Sequence, residues 1–227
     1  MSRNLFITGT GTDVGKTYAA GLFLKKLHDA GKRAAYFKAA MSGNTRRADG
    51  SLIPGDALWV KEFSGITQPI ETMCPYVYEA AVSPHLAAKF EGNPVELPRV
   101  LEQLDQICGS YEFVTIEGSG GICCPLRWDC QQICLQDLIR ARKLKSLLVA
   151  EAGLGTINAV VLSAEYMRAH HLPIQGILLN RYEQGNRLHE DNKQMCEEMT
   201  GLNVIACAGN GTPDLDVPAH LLETLYE

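Results

Sequence analysis

Apolar positions along the chain follow two rhythms. Leu5-Phe6-Ile7, Ala34-Ala35-Tyr36-Phe37, Phe113-Val114-Thr115-Ile116 and residues 147–150, 174–179 and 203–206 are short apolar runs, as expected of strands buried on both faces. Between them, apolar residues recur three and four apart: Ala20, Phe23, Leu24 and Leu27; Leu97, Val100, Leu101, Leu104 and Cys108; Ile157, Val160, Val161, Ala164 and Met167. That spacing predicts amphipathic helices. Gly31 and Gly201 stop two helical stretches, and Ser83-Pro84-His85 has the form of an N-cap, a first-turn proline and a helix entry. Alternation from end to end predicts an α/β fold, a three-layer sandwich whose mostly parallel sheet is covered on both faces. Residues 39–55 are expected to be a long irregular stretch with an Asp49-Gly50 turn, and Asp56 to head a short helix. Asp129 is expected to cap a further helix, with Gln132 reaching back.

With 227 residues and neither repeat nor linker, residues 1–227 suit a single domain. The balance of 21 basic and 26 acidic residues, net −5, offers no general basic surface for nucleic acid and points to a small-molecule partner. No apolar run approaches the roughly 18 residues of a membrane helix, and no secretory signal layout opens the chain, so a cytoplasmic protein with reduced thiols is expected. Four of its cysteines, Cys123, Cys124, Cys130 and Cys134, fall within twelve residues. They lack a C-x-x-C pair, and Cys130 and Cys134 share helical spacing with Ile133 and Leu138, which predicts core packing over zinc or iron–sulfur binding. A metal- or redox-binding protein built on this cluster remains an alternative.

The most informative stretch is Gly9-Thr10-Gly11-Thr12-Asp13-Val14-Gly15-Lys16-Thr17, between the first strand and the first helix. Glycines let successive N–H groups face one anion, and a helix start adds positive potential. Lys16 would reach β- and γ-phosphates, and the Thr17 hydroxyl would hold Mg²⁺. Five residues separate Gly9 from Gly15, one more than the strict phosphate-loop pattern. Two other readings are a plain β–α turn and a dinucleotide site. The second strand ends in Lys38 rather than an acid, and no Tyr-x-x-x-Lys pair occurs, so mononucleotide binding is favoured. Polar groups stand at the other strand ends too: Lys38, Glu117, residues 151–155 and Asn180. Glu117 and Asp56 are oxygen donors suited to Mg²⁺ beside phosphates, although an acid at a helix start also has a capping explanation.

Five blocks in order resemble dethiobiotin synthetases: Gly9-Thr10…Val14-Gly15-Lys16-Thr17, Lys38…Ser42-Gly43, Ser83-Pro84-His85, Glu117-Gly118…Gly120-Gly121 and Leu154-Gly155…Asn158. The resemblance implies ATP- and Mg²⁺-dependent closure of a ureido ring on 7,8-diaminopelargonate with CO₂, through a phosphorylated carbamate, by a homodimer. It implies that Gly11, Thr12, Asp13, Val14, Gly15, Lys16, Thr17 and Tyr18 hold the nucleotide and that Asn180 reads its base. Lys16 and Lys38 would act on the transferring phosphoryl group, with Thr12 and Ser42 at the carbamate and amine end. Thr17, Asp56 and Glu117 would hold Mg²⁺. Glu117, Gly120, Gly155, Thr156 and Asn158 would also meet the substrate, the last three at its carboxylate across a dimer interface. The sequence departs from the family at Ala39, where proline is usual, at Gly11, and at Ala159, where many members have histidine. A different class, a partitioning-type switch ATPase, would carry a second lysine early in the loop, where Gly11 stands.

Overall fold

The computed structural model describes residues 2–226. Six strands, β1 (Arg3–Gly9), β2 (Ala34–Lys38), β3 (Phe113–Glu117), β4 (Lys145–Glu151), β5 (Ile174–Asn180) and β6 (Val204–Ala208), form one sheet. Their order is β6-β5-β4-β1-β3-β2 and every pairing is parallel. Each apolar run named above became one of these strands. Among the described residues eight α-helices accompany them: α1 (Lys16–Asp29), α2 (Gly55–Ser64), α3 (Pro84–Phe90), α4 (Leu97–Ser110), α5 (Leu135–Arg142), α6 (Thr156–Ala169), α7 (Arg187–Thr200) and α8 (Ala219–Glu223).

The period-two alternation of strand side chains divides the interior into layers. Leu5 and Ile7 of β1 enter a core shared with α1, α2 and α8, whereas Phe6 enters one shared with α3, α4 and α5. A third cluster, containing Leu148, Leu179, Val160 and Cys196, packs α6 and α7 on the sheet. Helices therefore cover both faces, which explains why the strands are apolar throughout rather than alternating.

Three expectations need correction. Residues 39–55 are not wholly irregular: Ala40–Met41 pairs in parallel with Tyr76–Val77, and Thr45–Arg46 pairs antiparallel with Leu52–Ile53. Asp129 caps no helix. Pro125–Trp128 and Gln132–Cys134 form an antiparallel hairpin, and Asp129 lies in its turn, where its carboxylate accepts from the Gln131 N–H at 2.8 Å. An Asp that bonds the N–H two residues ahead serves a turn as readily as a helix start. The helix begins later, at Leu135, where Asp137 accepts from the Cys134 N–H at 2.7 Å. Cys130 and Cys134 accordingly share no helical stripe, and Cys123 and Cys130 are exposed rather than in the core.

Candidate active site

Parallel strands deliver their carboxyl ends to one edge of the sheet, and register brings specific residues side by side there. Lys38 at the end of β2 is the direct register partner of Glu117 at the end of β3, and Ile7 of β1 pairs with Glu117 on its other side. The phosphate loop follows β1 immediately. Gly15, at the N-terminal cap of α1, has φ +97°, a left-handed value that favours glycine. It also leaves no room for a side chain: a Cβ there would stand 2.0 Å from Nδ2 of Asn180. The carboxamide of Asn180 is buried, and it donates to the Val14 carbonyl at 3.1 Å. Asp13 takes a left-handed conformation too, at φ 61°.

A hydrogen-bonded charge network spans the floor. The Lys38 ammonium donates to Asp56 Oδ2 at 2.6 Å and to Glu117 Oε1 at 2.7 Å. Glu117 also accepts from the Thr17 hydroxyl at 2.9 Å and from the Tyr36 hydroxyl at 2.7 Å. Lys16 lies over its own loop, donating to the Gly11 carbonyl at 2.7 Å. Lys16, Lys38 and Glu117 are 6%, 6% and 1% exposed, so three ionisable groups are held almost wholly out of solvent.

Their electrostatics differ by position. Burial pulls the Lys16 ammonium below the usual lysine range, and the nearby Lys38 charge adds to that, while Glu117 opposes it. For Lys38 burial acts the same way, but the Glu117 and Asp56 carboxylates, with their hydrogen bonds, outweigh it and hold the pKa above the usual lysine value. Burial and the Glu117 charge push the Tyr36 phenol well up, so it stays a donor.

Lys16, Thr17, Lys38, Asp56 and Glu117 line a cavity of about 1000 Å³. Thr12, Asp13, Gly15, Lys16, Thr17, Tyr18, Lys38, Ser42, Asp56, Glu117 and Gly120, all expected from the sequence, border it together. Gly11 and Val14 do not border it; their carbonyls accept from Lys16 and Asn180 within the loop. Asn180 itself stands behind the loop, and Gly155, Thr156 and Asn158 lie outside this cavity at the start of α6. His85 does not line it, whereas Ser83 and Pro84 do.

Several lining or supporting residues escaped the sequence reading. Tyr36 precedes Lys38 by two positions on β2, so period two alone places both on one face. Trp59 follows Asp56 by three on α2, which likewise predicts a shared face. Arg181 lines the cavity in a left-handed conformation, φ 56°, paired with Glu151 and donating to the Asp13 carbonyl at 3.3 Å. No short-range pattern announces that residue. Among the described residues, no three or more His, Cys, Asp or Glu side chains gather as a metal-binding group, the cysteine-rich hairpin included.

A sequence profile described as AAA domain matches residues 3–212. The ATP-dependent dethiobiotin synthetase of Brachyspira hyodysenteriae is 43% identical over 228 residues, covering 100% of both chains. That of Clostridium botulinum strain Eklund 17B is 38% identical over 227 residues, covering 100% of this chain and 99% of its own. The chain belongs to the ATP-dependent dethiobiotin synthetase family. As a dethiobiotin synthetase it is an ATP-dependent ligase acting on small molecules, which removes the switch-ATPase and cysteine-cluster alternatives. Solved structures agree on architecture. The MinC:MinD cell division complex of Aquifex aeolicus matches with TM-score 0.55 at 13% identity, over 92% of this chain and 81% of that one. The signal recognition particle receptor FtsY of Elizabethkingia anophelis matches with TM-score 0.52 at 12% identity, over 100% of this chain and 66% of that one. At such identities these likenesses establish the fold alone. Among the described residues of this dethiobiotin synthetase, no helix is long and apolar enough to cross a membrane.

Proposed function

We propose that the chain closes a ureido ring on 7,8-diaminopelargonate, taking CO₂ and ATP and releasing dethiobiotin, ADP and phosphate. The observation that carries this reading is the meeting of two buried lysines with the Glu117 carboxylate on the floor of one cavity beside a phosphate loop. One amine of the substrate adds to CO₂ and loses a proton, giving a carbamate. A carbamate oxygen takes the γ-phosphoryl group, releasing ADP. The second amine then attacks the activated carbonyl, loses its proton and expels phosphate.

Each step builds negative charge on oxygens that cationic side chains can meet. Lys16 serves the transferring phosphoryl group from the loop, and Lys38 serves it and the carbamate from the strand end. Lys38 remains charged because two carboxylates hold its proton. Tyr36 anchors Glu117 from behind. Thr12, Ser42 and Gly120 border the end where the carbamate and amine would lie. Asn180 supports the nucleotide by holding the Val14 carbonyl, and so the curvature of the loop.

The Thr17 hydroxyl, Asp56 and Glu117 form an all-oxygen set, the donor chemistry Mg²⁺ takes together with phosphate oxygens. Bound there, Mg²⁺ would supply charge neutralisation at the phosphates. Residues Gly155, Thr156 and Asn158 fit the carboxylate tail through backbone N–H groups at the start of α6. The side-chain oxygen of Thr156 is buried without a hydrogen-bond partner among the described residues. Beside it, Leu154 is 93% exposed and Leu162 63%, which supports a homodimer joined along this helix. The unbroken sheet supports reading residues 1–227 as one domain, and dependence on ATP supports a cytoplasmic location.

Phosphate release measured with ATP, Mg²⁺, bicarbonate and 7,8-diaminopelargonate, each omitted in turn, tests the reading. Release is expected to require all four; release that ignores the diamine overturns it.

A further inference from the structure

β2 is an outer strand of the sheet, yet it carries Tyr36 and Lys38, two of the three residues bonded to Glu117. An outer strand turns alternate N–H groups away from its neighbour, and a buried N–H left there without an acceptor is costly. The segment after α2 supplies acceptors for both. Side-chain Oε1 of Gln68 accepts from the Tyr36 N–H at 2.7 Å, and the Met73 carbonyl accepts from the Lys38 N–H at 2.9 Å. Gln68 thus places a side-chain oxygen where the carbonyl of a further strand would stand. Both Gln68 and Met73 are wholly buried.

Residues 68–73 form a strap with supports of its own. Lys61 of α2 donates to the Gln68 carbonyl at 2.6 Å, and Gln103 of α4 donates to the Thr72 carbonyl at 2.9 Å. The Gln68 amide donates to the Thr72 hydroxyl at 3.0 Å, and that hydroxyl donates to the Pro69 carbonyl at 2.7 Å, closing the 3₁₀ turn Ile70–Thr72. The helix that anchors the strap, α2, also carries Asp56, the second carboxylate on Lys38. Neither Gln68 nor Tyr36 belongs to the five sequence blocks that carry the resemblance to dethiobiotin synthetases.

The two oxygens of Glu117 are used unequally. Oε1 accepts from Lys38 and Thr17, and Oε2 accepts from the wholly buried Tyr36 hydroxyl at 2.7 Å. A carboxylate turns easily about its terminal torsion. Tyr36 opposes that rotation and keeps Oε1 towards Lys38 and Thr17, which line the cavity. The hydroxyl is only as fixed as the strand beneath it, and Gln68 fixes that strand at Tyr36 itself. We propose that Gln68 is a positioning residue for turnover: it holds the edge of β2 at Tyr36, Tyr36 holds the Glu117 carboxylate, and the carboxylate orients the Lys38 ammonium. The inference rests on the ligase reading given above.

The test is a double-mutant cycle read by diamine-dependent phosphate release. Gln68→Met keeps an unbranched chain of similar length without the acceptor, and Tyr36→Phe keeps the ring without the hydroxyl. Each is expected to lower kcat roughly tenfold, as a misplaced reacting group does. KM for ATP and for the diamine should stay within about twofold, because no substrate contact is removed. Lys38 keeps its own bond to the strap, from Met73, in both variants. In the Tyr36→Phe chain, adding Gln68→Met should therefore change kcat by less than about twofold, since the hydroxyl through which it acts is gone. If Gln68→Met does not fold, Gln68→Asn, one methylene short of the Tyr36 N–H, takes its place with the same expectation. A purely structural role would lower the melting temperature and leave kcat, measured well below it, unchanged. That result, or two losses that multiply independently, overturns the proposal while the ligase reading stands. A natural chain without diamine-dependent release sinks the ligase reading and this inference with it.

Discussion

The cavity floor and the start of α6 are both suited to an anion, yet one is a network of buried, paired charges and the other lies at the surface. On the floor, Lys38 and Glu117 are buried and tied by bonds of 2.6 to 2.9 Å to Asp56, Thr17 and each other. At the α6 start, Gly155 and Asn158 are exposed and Leu154 beside them is 93% exposed. A charge network inside a domain must be satisfied when the chain folds, since a buried unpaired charge is too costly. A helix start at the surface carries no such demand and can wait for a second subunit. Mutations on the floor should therefore change both chemistry and folding, and those at α6 should change substrate affinity and subunit association with little effect on turnover.

The largest effect belongs to the floor. Lys38→Ala is expected to lower kcat by roughly 100-fold, about 3 kcal/mol of barrier, for loss of charge stabilisation during phosphoryl transfer. It should also lower the melting temperature, because Glu117 would keep only the Thr17 and Tyr36 donors in a buried place. Adding Glu117→Gln should restore part of the stability without restoring turnover. Unchanged kcat in the single variant would reduce Lys38 to a strand-end ion pair.

The next effect separates the two lysines. Burial holds Lys16 below the ordinary lysine pKa of about 10.4, and the carboxylates hold Lys38 above it. As pH rises, Lys16 loses its charge first, so ADP affinity should fall by about tenfold before an ordinary lysine would titrate, with Lys38 still charged. Isothermal titration of ADP across alkaline pH checks this, and Lys16→Arg should displace the fall upward. The contributions to stability have opposite signs. In the window below the usual lysine value the unfolded chain binds the Lys16 proton more tightly than the folded one, so stability from Lys16 rises with pH. The Lys38 contribution is complete below that value and is lost only as pH climbs through its raised pKa.

A smaller effect is expected at α6. Asn158→Ala should raise KM for the diamine about fivefold and leave kcat within twofold, the pattern of lost uniform binding. Leu154→Asp should reduce the dimer fraction in light scattering and raise the same KM. If Leu154→Asp leaves mass and KM unchanged, the helix start is not an interface.

The same contrast governs what could be read from the sequence. Strands buried on both faces stand out as apolar runs; β2 ends in Lys38, β3 ends in Glu117, and Lys16 follows β1 across a glycine-rich loop, so these three were visible. Tyr36 was visible in principle through its two-residue offset from Lys38. The adjacency of Lys38 and Glu117 was not, because it depends on β3 entering the sheet between β1 and β2, a pairing between residues 79 positions apart. Arg181 depends on a left-handed backbone and on contacts with Glu151 and Asp13, both remote in sequence. The hairpin at 125–134 was misread because Ile133, Cys134 and Leu138 mimic helical spacing across a strand-to-helix junction.

That junction supplies the smallest effect. Cys134 stands at the N-cap of α5 with extended backbone, φ −117° and ψ 169°, and its N–H is already bonded to Asp137. A serine hydroxyl accepts from the first-turn N–H groups far better than a thiol, and serine is among the preferred N-cap residues. Cys134→Ser should thus stabilise the chain by about 0.5–1 kcal/mol, a rise of roughly 1–4 °C in melting temperature for a domain of this size. Cys130, at the hairpin turn, is exposed, so adding Cys130→Ser should change neither activity nor stability measurably. Calorimetry of the single and double variants, with turnover under saturating substrates, checks both statements. A fall in melting temperature, or a loss of activity accompanied by loss of a stoichiometric metal, would show that the hairpin cysteines hold something the cap does not explain.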